Sequence, residues 1–300
     1  MVNVLVSTWN GERHIREQLN SILDQTYPDI RIYVRDDGST DGTLKILWEY
    51  SEREEIRLIR GRHVGAGRSY MRLLRIAAEG DYWCFSGQED LWYPDKVQQA
   101  VEWLSQQPTG VPALYGCSYE EADEQTDEPI GTVLPPRRTV DFRRALTNRI
   151  YNDFAMAVNS PLRTLMLEAD TDRITASDQW AQILAERFGV HYFDARVALK
   201  HRCPIPDMNS RNHKKSLSDR LRVFGHTLRS GDEDIRSCAG AYTESFGRKM
   251  KDRPAKYARW FASRHYRPDY AVKKALYPGR WKTEAGQELP TRLLMLLGRI

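Results

Sequence analysis

The first ninety residues alternate short apolar runs with segments whose apolar residues recur every three to four positions. The apolar runs at 2–6, 30–34, 56–59 and 82–85 predict strands, and the segments 11–24, 43–50 and 68–78 predict helices. In the first helical segment the recurring residues are Ile15, Leu19, Ile22 and Leu23. Strand and helix alternating at this spacing predict βαβ units, and therefore an α/β fold with a mainly parallel sheet.

The rest of the chain is less regular. Its pattern predicts helices at 95–106 and 177–188, a strand at 190–193, and a loop over the acidic stretch 118–130. From about residue 206 the pattern is helical and offers no strong strand. We therefore predict two regions, an α/β domain over 1–205 and a mostly helical C-terminal region over 206–300.

Composition indicates a globular chain with an uneven charge. Hydrophobic residues make up 41% and charged residues 29% of the 300 residues, which excludes a disordered or fibrous protein. Residues 210–300 carry 21 Lys and Arg against 9 Asp and Glu, a net charge of +12, while residues 1–209 have a net charge of −8. The basic region is either a solvated helical face or a surface that meets lipid headgroups, a lipid-linked pyrophosphate or nucleic acid. No nucleic-acid-binding motif accompanies it, so we expect no nucleic-acid partner.

The expected compartment is the cytoplasm. The opening residues lack the basic and apolar segments of a signal peptide, and no window approaches the ~18–20 uncharged apolar residues of a membrane helix. The four cysteines form no CxxC pair, so we expect neither disulfides nor a zinc site.

Polar residues follow the predicted strands where a parallel sheet binds its ligands. Ser7 and Thr8 follow the first strand, Asp36 and Asp37 the second, and residues 87–90 the fourth. Neither a GxGxxG nor a GxxxxGK[ST] motif is present, which argues against dinucleotide and P-loop sites. Carboxylates here can accept hydrogen bonds from a base or a ribose, or hold a divalent cation that neutralises a diphosphate. The pattern favours a sugar-nucleotide site.

Several sequence blocks resemble a family 2 glycosyltransferase with the GT-A fold. They are STWNGE at 7–12, QTYP at 25–28, RDDGSTDGT at 35–43 and HVGAGRSY at 63–70, with His63 in place of the family's Asn. FSGQEDLW at 85–92 and SDQW at 177–180 resemble the branch that contains bacterial rhamnosyltransferases. The resemblance covers about residues 2–205 and implies a Rossmann-like, mainly parallel mixed sheet with flanking helices.

The resemblance implies an inverting hexosyl- or deoxyhexosyltransferase of bacterial surface polysaccharide assembly. Its donor would be a UDP- or dTDP-sugar, and its acceptor a hydroxyl of a glycan or of a lipid-linked sugar. Arg68 is either a phosphate contact or a solvated helix arginine, and the turn after Asp36 is either part of the nucleotide site or an ordinary Asx turn. The implied donor-binding residues are Ser7, Thr8, Asn10, Glu12, Asp36, Asp37, Arg68 and Gln88.

The resemblance also implies that Asp178 is the general base, a role compatible with capping the helix that follows. The family's metal motif has the form Asp-x-Asp, and here Gly87 replaces its first carboxylate. The candidates that remain for weakly bound Mn²⁺ or Mg²⁺ are Glu89, Asp90 and His201. Alternatively, the cations at 200–202 (Lys-His-Arg) neutralise the leaving diphosphate.

Other departures leave alternatives open. Asn152 and Asp153 stand where the family has Gly before a small residue, which concerns the acceptor pocket. Together with the altered metal motif, these two departures are compatible with a catalytically weakened homologue that binds a sugar nucleotide or a glycan. A nucleotidyltransferase is a further alternative, but its glycine-rich start followed by a basic residue is missing.

The C-terminal region carries aromatic rings among its cations. Residues 248–267 interleave Lys and Arg with Tyr257, Trp260, Phe261 and Tyr266, a mixture that suits the headgroup layer of an anionic membrane. We therefore expect peripheral binding at the inner face of the plasma membrane. Alternatively, Trp260 and Phe261 pack a helical bundle against the α/β domain while the cations face water.

Overall fold

The computed structural model describes residues 1–136, 140–203, 232–247, 250–263, 267–282 and 285–300. Within these residues the strands are β1 Val2–Thr8, β2 Ile30–Asp36, β3 Arg57–Arg60, β4 Tyr82–Ser86, β5 Asp90–Trp92, β6 Ala113–Asp123, β7 Pro129–Val133, β8 Met156–Asn159 and β9 Val190–Cys203. The α-helices described are α1 Ile15–Leu23, α2 Thr43–Glu52, α3 Ala66–Ile76, α4 Lys96–Leu104, α5 Phe142–Thr147, α6 Ser160–Leu167, α7 Ser177–Phe188, α8 Glu233–Tyr242, α9 Arg253–Ala262, α10 Pro268–Ala275 and α11 Ala285–Leu296.

One mixed sheet joins all the described strands in the order β3-β2-β1-β4-β8-β6-β9-β5, with β7 paired to β6. The four strands predicted in the first ninety residues are confirmed, and they are parallel to each other. Thr8 lies opposite Asp36, and Val6 lies opposite Ser86. The carboxyl ends of β1, β2 and β4 therefore meet at one edge of the sheet, where the polar residues follow.

The acidic stretch 118–130, which we expected to be a loop, is largely strand. β6 extends through Asp123, pairs antiparallel with β7, and pairs parallel with β9. β9 is also much longer than the predicted strand at 190–193. Tyr119 and Ala122 of β6 are buried, so tertiary pairing with a distant strand overrides the loop-like composition.

The C-terminal region is helical where it is described, as predicted. Its helices share a hydrophobic core with the α/β part, since Leu146 and Trp180 belong to the same buried cluster as Tyr242, Phe261 and Trp281. The predicted boundary between residues 205 and 206 lies outside the described residues.

The aromatic rings assigned to a membrane surface are buried. Tyr257, Trp260 and Phe261 are all under 10% exposed, and Trp260 and Phe261 both contact the ring of Trp281. These three rings pack the helical region, as the alternative interpretation held for Trp260 and Phe261, while Tyr266 lies outside the described residues. No helix among the described residues has both the length and the apolar character needed to cross a bilayer.

Candidate functional site

Asp36 ends β2 and lies at the centre of a buried hydrogen-bonded turn. Its Oδ2 accepts the backbone N–H groups of Gly38 at 3.1 Å and Ser39 at 3.0 Å, which is the Asx turn considered above. Its Oδ1 accepts the hydroxyls of Ser39 and of Thr8, the latter at 3.2 Å. The two amides are fixed, but hydroxyls rotate. A base N–H or a ribose hydroxyl can therefore take the place of the hydroxyl donors on Oδ1.

Asp37 is equally buried but has a different set of partners. Its carboxylate forms an ion pair with the guanidinium of Arg35 and lies 3.1 Å from Nδ1 of His63. It also accepts the backbone N–H groups of Val64 and Gly65, at 2.7 and 2.9 Å. Asp37 therefore anchors the loop before α3, and a nucleoside would have to displace one of these fixed groups. Its predicted contact with the donor stays a prediction.

Asn10, Glu12 and Gln88 hold the loop that follows β1. Asn10 Oδ1 and Glu12 Oε2 each accept a backbone N–H of the 38–43 loop at 2.8 Å. The side-chain amide of Gln88 pairs with the backbone of Trp9, accepting its N–H at 2.7 Å and donating to its carbonyl at 3.1 Å. The structure thus brings these three predicted donor-binding residues to the rim of the Asp36 turn, where they position the loop.

Ser7 and Arg68 form contacts with α3 and its surroundings. The hydroxyl of Ser7 donates to that of Ser69 at 2.8 Å. Arg68 donates from Nε to the carbonyl of Asp172 at 2.8 Å, and its guanidinium lies 3.7 Å from Glu233. A donor phosphate would therefore have to compete with these acceptors for Arg68.

Two exposed rings beside Asp37 had been given no role from the sequence. Trp9 is 49% exposed, and its ring centroid lies 4.4 Å from that of His63. Flat aromatic surfaces of this kind favour stacking with another ring. Both residues lie inside the sequence blocks that resemble the glycosyltransferase family, and this position was the one sequence signal that pointed to a role in the site.

Asp90 and His201 are joined by the pairing of β5 with β9. Asp90 is fully buried, accepts the N–H of Gly87 at 2.8 Å, and lies 2.6 Å from Nδ1 of His201. The ring of Phe154 stacks on the imidazole, with centroids 3.9 Å apart. Burial lowers the pKa of His201, but the hydrogen bond and the charge of Asp90 outweigh it, so the pKa is raised overall.

The residues predicted to hold a metal do not converge as a three-ligand set. No group of three or more His, Cys, Asp and Glu suited to a metal ion occurs among the described residues, and the two Asp90 oxygens contact Gly87 and His201. Partly buried Glu89 remains; burial and the charge of Asp90 raise its pKa to about 7. Because Asp90 contacts Nδ1 of His201, a bound cation would be held by the other ring nitrogen, as in many metal sites. The residues therefore fit a weak site of Glu89 and His201, completed by ligand oxygens.

Asp178 lies in the first turn of α7 and is 2% exposed. The helix is capped by Ala176, so the interpretation of Asp178 as the N-cap is wrong. Its Oδ2 lies 3.0 Å from Nε of Arg149, and its Oδ1 accepts the N–H of Gln179 at 2.7 Å. Burial raises the pKa of Asp178, and the charge of Arg149 opposes that increase.

A second carboxylate, Asp153, lies beside Asp178. It is partly exposed, and its Oδ1 accepts the hydroxyl of Ser177 at 2.6 Å. Burial and the negative charge of Asp178 raise the pKa of Asp153 well above its usual range. Arg149 also binds Asp234 of α8 at 2.9 Å, so one guanidinium contacts the carboxylates of both Asp178 and Asp234. Carboxyls perturbed in this way are typical of acid–base sites.

Sequence reasoning singled out Asp178 and noted Asp153 only as a departure from the family pattern. It gave no role to Arg149 or Asp234. These residues meet through the packing of α5, α7 and α8, which leaves no local pattern in the sequence. The unusual carboxylate at Asp153 was the one available signal.

Comparisons with known proteins place the chain in a family. The sequence profile of "Glycosyl transferase family 2" matches residues 3–161, more than half of the chain. The dTDP-rhamnosyl transferase RfbG of Shigella flexneri is 42% identical over 105 residues, which cover 33% of this chain and 36% of RfbG. The putative teichuronic acid biosynthesis glycosyltransferase TuaG of Bacillus subtilis is 30% identical over 105 residues, covering 35% of this chain and 42% of TuaG. The chain thus spans well under half the length of either relative.

Solved structures support the fold. S. aureus TarS 1–349 superposes with a TM-score of 0.57 over 98% of this chain and 79% of that chain, at 16% identity. Its complex with UDP-GlcNAc gives a TM-score of 0.53 over 90% of this chain and 80% of that chain, at 15% identity. At these identities the likeness concerns the fold alone. The chain belongs to glycosyl transferase family 2 and has the GT-A fold.

Proposed function

We propose that this protein transfers a sugar from a nucleotide-sugar donor to a hydroxyl of a glycan or lipid-linked acceptor, with inversion at the anomeric carbon. The observation that carries the proposal is the presence of two carboxylate groups in a family 2 fold: Asp36 with its rotatable hydroxyl donors, and Asp178 with Asp153 around Arg149. The first group suits donor binding, and the second suits proton transfer.

The donor is a dTDP- or UDP-sugar. RfbG is named a dTDP-rhamnosyl transferase, and TarS is crystallised with UDP-GlcNAc, which supports both nucleotides as candidates. The nucleoside contacts Thr8 and Asp36, and its base lies against the exposed rings of Trp9 and His63. The name of TuaG supports a role in bacterial surface polysaccharide assembly.

The reaction is a single displacement with Asp178 as the base. The acceptor oxygen attacks the anomeric carbon and loses its proton to the Asp178 carboxylate, while the bond to the diphosphate breaks and the diphosphate leaves with the electron pair. Arg149 holds Asp178 in place, and its charge opposes the rise in pKa that burial causes. Asp153, the more exposed of the two, is the candidate to hydrogen-bond to the acceptor.

Glu89 and His201 would hold a divalent cation together with diphosphate oxygens, and that cation would neutralise charge on the leaving group. Asp90 keeps the imidazole oriented for this role. The alternative cations are engaged elsewhere: Lys200 binds Asp127 at 2.8 Å, and Arg202 binds Asp127 and Glu17. This arrangement favours Glu89 and His201 over the two cationic side chains.

Calorimetric titration with UDP-, GDP- and dTDP-sugars, with and without Mn²⁺, tests the donor assignment. We expect a dTDP- or UDP-sugar to bind, and we expect Asp36→Ala to weaken binding while the exposed control Asp24→Ala does not. Binding of none of these donors would contradict the proposal.

A weakened homologue that binds donor without turning it over is the second candidate. It is favoured by Gly87, which removes a carboxylate from the metal motif, and by the incomplete ligand set. Consumption of the bound donor by the wild-type protein, in transfer or in hydrolysis, would exclude this alternative. Binding without consumption would support it.

A further inference from the structure

The last described helix, α11, exposes a row of leucines. Leu289 is 78% exposed, Leu293 46% and Leu296 42%, and Leu297, directly after the helix, is 50% exposed. Their spacing of four, three and one residues places them on one side of the helix. We call these four residues the leucine face.

The other side of the same helix is buried. Thr291, Leu294 and Met295 are at most 5% exposed, and Leu294 and Met295 belong to the main hydrophobic core. A helix that is apolar on both sides is normally covered on both sides. Exposed apolar patches of this kind mark sites of interaction with another protein or a membrane. We therefore expect the leucine face to bind another protein or a membrane.

Positive charge accompanies the leucine face. Residues 267–300 contain seven Lys and Arg against three Asp and Glu. Arg267, Lys273, Arg280 and Arg299 are exposed, and Asp269, the one exposed acid among the described residues of this stretch, forms ion pairs with Arg267 and Lys273. α10 packs against α11 and adds exposed aliphatic side chains at Val272 (47%) and Leu276 (74%).

We propose that the leucine face, with the exposed cations at 267, 273, 280 and 299, docks onto the surface of an anionic phospholipid bilayer. Leucines that enter the boundary between headgroups and acyl chains remove apolar surface from water, and nearby cations are attracted to anionic headgroups. This combination of an apolar row and excess positive charge favours a membrane over an uncharged protein partner. The surface is distinct from the buried rings of Trp260 and Phe261 and goes beyond the proposed glycosyl transfer.

Co-sedimentation with vesicles tests the docking surface. The wild-type protein is compared with the double variant Leu293→Gln/Leu296→Gln and with Leu23→Gln, a control on α1 with the same 42% exposure as Leu296. The vesicles contain phosphatidylglycerol with phosphatidylcholine, or phosphatidylcholine alone, each at low and high salt. We expect salt-sensitive binding to the anionic vesicles only, reduced roughly tenfold or more in the double variant and unchanged in Leu23→Gln. Circular dichroism and thermal unfolding check that each variant is folded.

Three results would overturn the proposal. The first is absence of wild-type binding to anionic vesicles, and the second is equal binding by the folded double variant. The third is a wild-type dimer in sedimentation velocity that the double variant converts to monomer, because a second copy of the chain would then cover the leucine face. The assay contains no donor sugar, so its outcome is independent of the proposed activity.

Discussion

Two pairs of aspartates in this protein differ in how their charge is compensated. Asp36 and Asp37 both accept hydrogen bonds from backbone N–H groups. Asp36 also accepts hydroxyls, whereas Asp37 forms an ion pair with the guanidinium of Arg35. Asp153 and Asp178 lie close together and share the influence of Arg149, and burial raises the pKa of both. Fixed donors surround the first pair, and the second pair holds protons more tightly than ordinary carboxyls.

The difference separates binding from chemistry. Carboxylates surrounded by preorganised donors offer a rigid surface to a ligand, and rotatable hydroxyls at Asp36 leave room for a ligand donor. Carboxyls whose charged form is disfavoured accept a proton readily, as a general base must. If the first pair serves the binding of the donor and the second pair serves proton transfer, substitutions in the two pairs should have different effects.

The largest effect is expected from Asp178→Asn. The amide keeps the shape but cannot accept the acceptor proton, so turnover should fall by about 10²–10⁴-fold while donor affinity persists. Donor consumption and calorimetric binding measure the two quantities. The control Asp234→Asn removes the other carboxylate that binds Arg149, and we expect a much smaller loss. Near wild-type turnover in Asp178→Asn would exclude this base.

Asp37→Ala should act on stability. It leaves Arg35, which is 2% exposed, without its buried carboxylate, a change that costs roughly 3–5 kcal/mol of the free energy of unfolding. Urea unfolding measures this loss. If the variant is as stable as wild type and only donor binding suffers, Asp37 is a ligand contact, and the assignment as a loop anchor is wrong.

Asp36→Ala should act on affinity. Loss of a hydrogen bond to a charged group predicts donor binding weaker by about 1.5–3 kcal/mol, with turnover at saturating donor much less affected. Calorimetry with the best donor supplies the value. Unchanged affinity of the folded variant would move the nucleotide site away from β2.

Asp153→Asn should stabilise the protein in a pH-dependent way. A carboxyl whose pKa is raised by folding contributes most to stability below its ordinary pKa of 3.8, and this contribution is lost as the pH rises. Asparagine imitates the protonated form, so the variant should gain roughly 1–2 kcal/mol over wild type at pH 8 and almost nothing near pH 3.5. Urea unfolding at several pH values tests the trend, and a gain that shrinks as the pH rises would contradict it.

Gly87→Asp should have the smallest effect. An added carboxylate raises the ligand charge, so apparent Mn²⁺ affinity with donor bound should increase by roughly tenfold or less. A Cβ at Gly87 would lie 3.1 Å from Oδ2 of Asp90, which limits the gain. If EDTA leaves turnover unchanged and the variant binds Mn²⁺ no better, the cation plays no part.

Local sequence patterns were sufficient for the first half of the fold. The strands β1 to β4 have their own apolar runs and the intervening helices their own period, so each could be recognised without its partners. The 118–130 segment could not, because β6 pairs not only with the adjacent β7 but also with β9, some eighty residues away along the chain. Periodicity contains no information about such a partner.

The same limit applies to the site. Thr8 and Asp36 could be placed together from the sequence, since parallel strand ends share an edge. The loop-anchoring role of Asp37 depends on the conformation of residues 61–65, and the meeting of Asp153, Arg149 and Asp178 depends on how three separate segments pack. Burial, which raises the pKa of both carboxyls, exists only once that packing has formed.

The most direct test of the difference between the two aspartate pairs is a pH titration in which ¹³C NMR monitors the aspartate carboxyl carbons of selectively labelled protein. Asp153→Asn and Asp178→Asn assign the two signals of the second pair. We predict that the Asp153 signal titrates well above the ordinary value of 3.8, and that replacing Asp178 lowers its midpoint by removing the neighbouring charge. A midpoint at or below 3.8 for Asp153, unaffected by Asp178→Asn, would contradict the assignment of this pair as the proton-handling part of the site.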